Sequence, residues 1–407
     1  MNLVPLNPDS IRIGHPLAFS LRDKNGTMLA HKGLVVASTL HLDALMGPGG
    51  SLYIDTTETY AGTNHEKKPP SLAAEVRPAE QIAGANLSTG TLDANQRSAA
   101  MLAPDWLNLQ VQANALLRET SAAQFTLRLD RVQAQLNRHA HLNPDGTLFA
   151  LIHLSASELR LYSATHAMLV SVMCGLAARE VLNWPPELEA TVCKAALTMN
   201  ISMTELQDQL ASQIQPPSAE QRFQIDGHEA NSIERLQQLG VTDPEWLAAV
   251  RDHHAKGAGP LGSRTQGQRM ARLIQRADMF AARLAPRAAR VPVPPSVAMQ
   301  AVYFDENRQI DEAGAALIKA VGIYQPGSFV RLASQEIAVV IRRGATNTTP
   351  LVAVLINRQG IPTSDHATRD TIQAEYRIVA SVAHRDVKVK MTLDRLLGFT
   401  SARSDRA

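Results

Sequence analysis

Cysteine is scarce in this chain: Cys174 and Cys193 are the two among 407 residues. That excludes a disulfide framework. Both sit in apolar, helix-patterned contexts and read as buried, reduced thiols. Long hydrophobic runs are also missing. The longest, Ala167 to Ala178, is 12 residues, whereas a bilayer-spanning helix needs about 20. No membrane span is expected. The opening Met1-Asn2-Leu3-Val4-Pro5-Leu6 lacks a basic region followed by an apolar one, so a cytoplasmic protein is expected. Charge of one sign is not in excess. The formal net charge is +2, which gives no bulk reason to expect nucleic acid or an anionic membrane as partner. Aromatics make up 4% of the chain and do not interleave with basic residues, so no nucleic-acid surface is read. No phosphate loop, dinucleotide fingerprint or solenoid period is present.

What is present is an ordinary globular composition, 45% hydrophobic and 19% charged, in a chain long enough for two or three domains. Residues 1 to 60 pattern as a small β-rich domain. Pro16 to Leu21 reads as a strand, Asp23-Lys24-Asn25-Gly26 as a hairpin turn, Thr27 to Ala30 as the return, Leu34 to Met46 as a helix and Leu52 to Ile54 as a last strand. Residues 61 to 104 carry Lys67-Lys68-Pro69-Pro70 and few large apolar side chains, the composition of a flexible linker. From 105 to 325 the period is helical. Leu169, Val172, Met173, Leu176 and Ala177 share one stripe, and Met270, Leu273, Ile274, Ala277 and Phe280 another. Glu312 to Val321 is one more helix. Residues 326 to 400 then turn to β, with strands expected at Ser328–Leu332, Ala338–Ile341, Leu351–Ile356, Ile378–Val382 and Val387–Met391. Arg342-Arg343-Gly344 reads as the rim of a β-turn.

Five side chains in the helical part are of metal-binding type: His166, His228, His253, His254 and Asp278. Neutral imidazoles and carboxylates bind first-row divalent ions when several converge from different helices. Each alone would read as a structural or solvated residue. Their order along the chain gives them weight together.

That order resembles the HD-GYP branch of the HD phosphohydrolase superfamily, over roughly residues 125 to 360. Tyr162 to Ala178 looks like the family helix that carries its first metal histidine, here His166. Ala195-Ala196-Leu197 followed by Met199-Asn200 stands where the family has its His-Asp pair. His228 matches a lone mid-domain histidine, His253-His254 a double histidine, and Asp278 a late aspartate nine residues before Arg287. Tyr324-Gln325-Pro326-Gly327-Ser328-Phe329-Val330 resembles the strand entry that follows the catalytic domain. Residues 15 to 55 resemble the small domain that precedes such units in some relatives. The fold implied is α+β: a central all-α HD-type helical bundle, a small β-rich N-terminal domain and a β-rich C-terminal extension.

The resemblance breaks where the chemistry would be. The bridging aspartate of the pair is Asn200, and its histidine is Met199. The lysine that follows in the family falls at Met203, the acidic residue after the double histidine at Ala255, and Gly-Tyr-Pro at Gly257-Ala258-Gly259-Pro260. A bridging carboxylate holds two cations about 3.5–4 Å apart and offsets their repulsion. A neutral amide is a poor bridge, and a thioether suits softer metals. No residue is assigned a catalytic role. His166, His228, His253, His254 and Asp278 are the residual metal ligands, with His228, His253 and His254 able to hold one divalent ion (Zn, Fe or Mn); alternatively they are relics kept for packing, with no metal. Arg287 and Arg290 fall where the family grips cyclic di-GMP phosphates; as plain residues they read as a solvated helix end. The resemblance implies a degenerate signalling protein without two-metal phosphodiesterase activity. It would sense cyclic di-GMP or another nucleotide, or bind a partner such as a diguanylate cyclase. The alternative is a phosphohydrolase working with a single metal.

Overall fold

The computed structural model describes residues 105–157, 161–285, 293, 295–364, 366–387, 389 and 393–400, together with 3–6, 11, 17, 20–31, 34–36, 42, 45–46 and 52–55. The linker expected at 61–104 lies outside the described residues, as do Arg287 and Arg290 and most of the helix expected at Leu34–Met46. The chain divides into two compact units, Met1–Asn108 and Leu109–Ala407. Among the described residues no helix is long and apolar enough to cross a membrane.

The first unit holds a four-stranded antiparallel sheet, β1 (Leu3–Leu6), β2 (Leu21–Arg22), β3 (Met28–Ala30) and β4 (Leu52–Asp55), in the order β1-β4-β2-β3. The Asn-Gly turn forms between β2 and β3. Asp23 Oδ1 accepts from the amides of Asn25 and Thr27 at 2.8 Å each, and Gly26 takes φ +85°. Leu17, Leu21, Ala30, Val36, Leu42 and Leu52 form its core.

The second unit is α+β. Its helices are α1 (Trp106–Leu117), α2 (Ala122–Leu142), α3 (Pro144–Ser157), α4 (Tyr162–Glu180), α5 (Pro186–Thr198), α6 (Thr204–Ser212), α7 (Ala219–Asp226), α8 (His228–Gln238), α9 (Pro244–Arg251), α10 (Gln266–Leu284), α11 (Pro295–Tyr303), α12 (Glu312–Val321) and the short α13 (Leu393–Leu397). Helix α4 is the axis. Every residue from Tyr162 to Ala178 is buried, which its near-continuous apolar sequence requires. It packs on α3, α5, α10 and α12. Gly175 allows α5 to approach, since a Cβ there would stand 2.9 Å from Cys193 Sγ. Both cysteines are free and buried, and burial pushes the Cys193 thiol up to about 12. Helix α10 starts on a capping box, with Thr265 accepting from the Gln268 amide and Gln268 from that of Thr265. It turns Met270, Leu273, Ile274, Ala277 and Phe280 inward, as the spacing predicts.

Two charged clasps bind the parts of this unit. Asp311, the N-cap of α12, accepts from Gly314 N and pairs with both Arg272 (2.7 Å) and Arg276 (3.0 Å) of α10. All three are nearly out of solvent, and Glu306 also pairs with Arg272 at 2.8 Å. Arg343 reaches from the strand end to Asp145 at the start of α3 (2.7 Å) and Glu180 at the end of α4 (2.8 Å). It is therefore a tie between sheet and helices, where the sequence reads only a turn rim.

The sheet itself is antiparallel, β5 (Phe329–Leu332), β6 (Ile337–Arg342), β7 (Leu351–Ile356), β8 (Thr368–Asp370) and β9 (Ile378–Val382), ordered β8-β7-β6-β5-β9. Alternation sends Phe329, Val339, Ile341, Ala353 and Leu355 to one face against Phe149, Val387 and Leu396. Val330, Leu332, Ala338, Val340 and Val352 go to the other. Val387 and Val389 belong to no strand; a short 3-10 turn, His384–Asp386, precedes them instead. His384 packs on Phe329 with ring centroids 4.4 Å apart. Burial, with His153 adding to it, pushes His384 down to about 4 from the usual 6.5.

Two outcomes follow from these contacts. Asp311→Ala leaves two buried guanidinium groups without their shared carboxylate. It should cost about 3–5 kcal/mol in urea unfolding, whereas Glu375→Ala, in an exposed pair with Arg358, should cost under about 1 kcal/mol. His384 is neutral in the folded chain, while the unfolded chain takes its proton below pH 6.5. Stability present above 6.5 is therefore lost as pH falls towards 4. His384→Gln should flatten that slope by up to about 3 kcal/mol, read from unfolding curves at pH 7 and pH 4.5.

Candidate metal centre

His228 opens α8, and His253 and His254 lie in the turn that closes α9. Both stretches end a helix or begin one, so free carbonyls of the last turn are close by. His228 Nδ1 donates to Ile225 O at 2.6 Å, and His253 Nδ1 donates to Val250 O at 2.6 Å. A carbonyl can only accept, so each Nδ1 carries the proton. Burial holds His228 and His253 neutral. His253 is pushed down to about 3, with the His254 ring adding to burial and the Val250 carbonyl opposing it. Each Nε2 is then a bare lone pair, and the two Nε2 atoms face each other at 3.2 Å. Two acceptors do not stabilise one another at that distance.

A divalent cation between them does. Two imidazole nitrogens, each about 2.1 Å from one ion, stand roughly 3.4 Å apart at the tetrahedral angle. Nδ1–H bonded to a backbone carbonyl is also the arrangement that fixes a metal-binding imidazole. His254 is the third member. Its ring centroid lies 4.2 Å from that of His253 and 5.1 Å from that of His228, and the three rings offer nitrogens all within 4.8 Å of one another. His228 and His253 are buried and His254 is exposed, so one side of the cluster is open to solvent. The donor set fits one borderline cation, which when bound supplies Lewis-acid polarisation of a coordinated oxygen.

The other two residues form a pair. His166 sits in the second turn of α4, stacked on Tyr162 one turn earlier with centroids 5.7 Å apart. Its Nε2 is 2.7 Å from Asp278 Oδ1 on α10. Burial works to raise the Asp278 carboxyl, but the hydrogen bond from His166 and the neighbouring imidazoles oppose it, and the group comes down to about 2. The carboxylate is thus ionised and within electrostatic reach of the triad. All five residues named from the sequence share one neighbourhood, sorted as three and two. Arg287 and Arg290 cannot be placed against them.

His166 also borders a cavity of about 10 Å³, lined by Ser163, Leu197, Met199, Asn200 and Gln207 among others, roughly the room for one water. Met199 is 1% exposed, and its thioether serves as packing. Asn200 Oδ1 and Ser163 Oγ are buried there without a hydrogen-bond partner among the described residues. The segment that follows Met199-Asn200 is regular. It forms a 3-10 turn, Ile201–Met203, and then α6. Ser202 Oγ bonds to the His228 carbonyl (3.0 Å) and to Ser232 Oγ (2.9 Å), and Thr198 Oγ1 accepts from Trp246 Nε1 at 3.0 Å. These ties from the Met199-Asn200 corner to α8 and α9 were missed in the sequence. Ser232, one helical turn after His228, was the available signal.

No family model matches the chain, and no curated protein matches it. Among solved structures it is similar to Bd1817, a HDG"Y"P protein from Bdellovibrio bacteriovorus. The identity is 16% and the TM-score 0.45, over 78% of this chain and 98% of that one.

The triad predicts a stoichiometry. Protein purified under low oxygen should carry about one divalent ion per chain by elemental analysis, and His253→Ala with His254→Ala should carry none. Asn200→Ala should leave the content at one, since Asn200 lies in the His166 cavity and not among the three imidazoles.

Proposed function

We propose that this chain is a degenerate HD-GYP-type signalling protein that recognises cyclic di-GMP or a related nucleotide, or a signalling partner, and does not hydrolyse the nucleotide. The supporting observation is Asn200. It lines the same cavity as His166, where the family pattern requires an anionic bridge, and it brings no charge. The five candidate ligands together bring one negative charge, on Asp278, and that carboxylate is bonded to His166 at 2.7 Å. Two divalent ions about 3.5–4 Å apart need more compensation than that. One ion needs less, and the facing nitrogens of His228 and His253 support one.

His228, His253 and His254 would hold that ion, with Asp278 and His166 beside it. His254, the exposed ring, lies on the side from which a ligand would approach. Arg287 and Arg290 remain candidates for the ligand's phosphates, because guanidinium forks suit phosphate oxygens.

The test is turnover of cyclic di-GMP by the full chain and by Met199→His with Asn200→Asp, each loaded with Fe or Mn. The natural chain should give no product above a chelated control. The double variant should bind a second ion and gain at least about 100-fold. Metal-dependent turnover by the natural chain would instead establish the single-metal phosphohydrolase.

A further inference from the structure

The turn that carries His253 and His254 continues into the wall of a second pocket. It is lined by Asp252, Ala255, Lys256, Arg264, Gln268 and neighbouring residues of α10, with a volume of about 190 Å³. Three cations and one carboxylate border it, but they are not equally engaged. Asp252 is held by a two-pronged pair with Arg251, at 2.9 and 3.0 Å. Arg272 is spent on Asp311, Glu306 and Gln275. Lys256 and Arg264 have no carboxylate partner among the described residues.

Arg264 is the more telling of the two. One of its terminal nitrogens donates to the Gly257 carbonyl at 2.5 Å, which fixes the guanidinium across the loop. Its Nε–H is out of solvent and meets no acceptor. The residue as a whole is half-buried and lines the pocket, so an acceptor seated there would meet its remaining terminal N–H groups. The residue stands just before Thr265, the N-cap of the 19-residue helix α10, so the positive end of that helix adds to the same region. Gln268 gives its Oε1 to the capping box, leaving its Nε2 to donate.

We propose that this pocket is an anion site for a phosphate-bearing ligand, most closely a diphosphate group, gripped by Arg264 and Lys256 and assisted by Gln268. The guanidinium and amide are planar donors suited to phosphoryl oxygens, and lysine contributes a point charge. The volume is below the roughly 300–1,000 Å³ of pockets for drug-sized molecules, so the group seated inside is small, and any larger remainder projects outward. The site is separate from the histidine triad and does not depend on a metal there.

The experiment is calorimetric titration of the full chain, in the presence of a chelator, with inorganic pyrophosphate, inorganic phosphate, and guanosine and adenosine diphosphates. Pyrophosphate should bind saturably at one per chain and more tightly than phosphate. Arg264→Gln and Lys256→Ala should each weaken it at least about tenfold, while Lys319→Ala, at a different pocket, should not. A diphosphonucleoside that binds tenfold more tightly than pyrophosphate would identify a nucleotide as the source of the group, and equal affinity would identify the free anion. Absence of saturable binding by every probe overturns the proposal. So does affinity unchanged in both variants, of which Lys256→Ala alters an exposed side chain and leaves folding intact. Because chelator is present throughout, failure of the metal reading leaves this result untouched.

Discussion

Two backbone carbonyls govern the candidate site. Ile225 and Val250 each take the Nδ1 proton of a histidine three residues on, and that choice leaves both Nε2 lone pairs facing one another. Had either ring found an acceptor at Nε2 instead, the cluster would be a plain hydrogen-bonded pair with no demand for a cation. The carbonyls are available because each histidine sits at a helix end, where the intrahelical ladder has run out. Helix termination, a local backbone event, thus supplies the electronic arrangement of the pocket. Burial then keeps both rings neutral, so that no proton occupies either Nε2 lone pair.

Much of this was legible in the chain before its structure. The α+β class follows from the change of hydrophobic period, and particular elements fall where the pattern puts them: α12 at Glu312–Val321, β7 at Leu351–Ile356, β9 at Ile378–Val382. The five candidate ligands were recognisable by order, and they do lie together. Their division into a triad and a His166–Asp278 pair was not legible, because it depends on which atoms meet each ring nitrogen. That is set by helix ends and by the α4–α10 approach, neither of which has a sequence period. Arg343 does stand at a turn rim, as the sequence reads, but its ties were not legible for a related reason. Its partners, Asp145 and Glu180, are 198 and 163 residues away, beyond any local pattern. The anchoring of Ser202 was likewise not legible, because the His228 carbonyl and Ser232 lie 26 and 30 residues away.

The Met199-Asn200 corner fits its surroundings as a neutral packing unit. Met199 is fully covered, Thr198 is held by Trp246, and the remaining space is the size of one water. A site built for two cations keeps acidic groups close together and is strained without its metals. Here one carboxylate remains and is satisfied by one imidazole. The α4–α5 side is ordinary interior packing, while the α8–α9 side carries two facing ring nitrogens.

The Arg343 clasp has a consequence for how the second unit comes apart. Its guanidinium joins a strand end to the first turn of α3 and the last turn of α4, the helix that also carries His166. Phe149 of α3 lies in the same apolar cluster as β5, β6 and β7. Peeling away the sheet would uncover that cluster and strand Asp145 and Glu180 without their cation. A shortened chain ending at residue 325 would therefore expose Phe149 and leave Asp145 and Glu180 without Arg343.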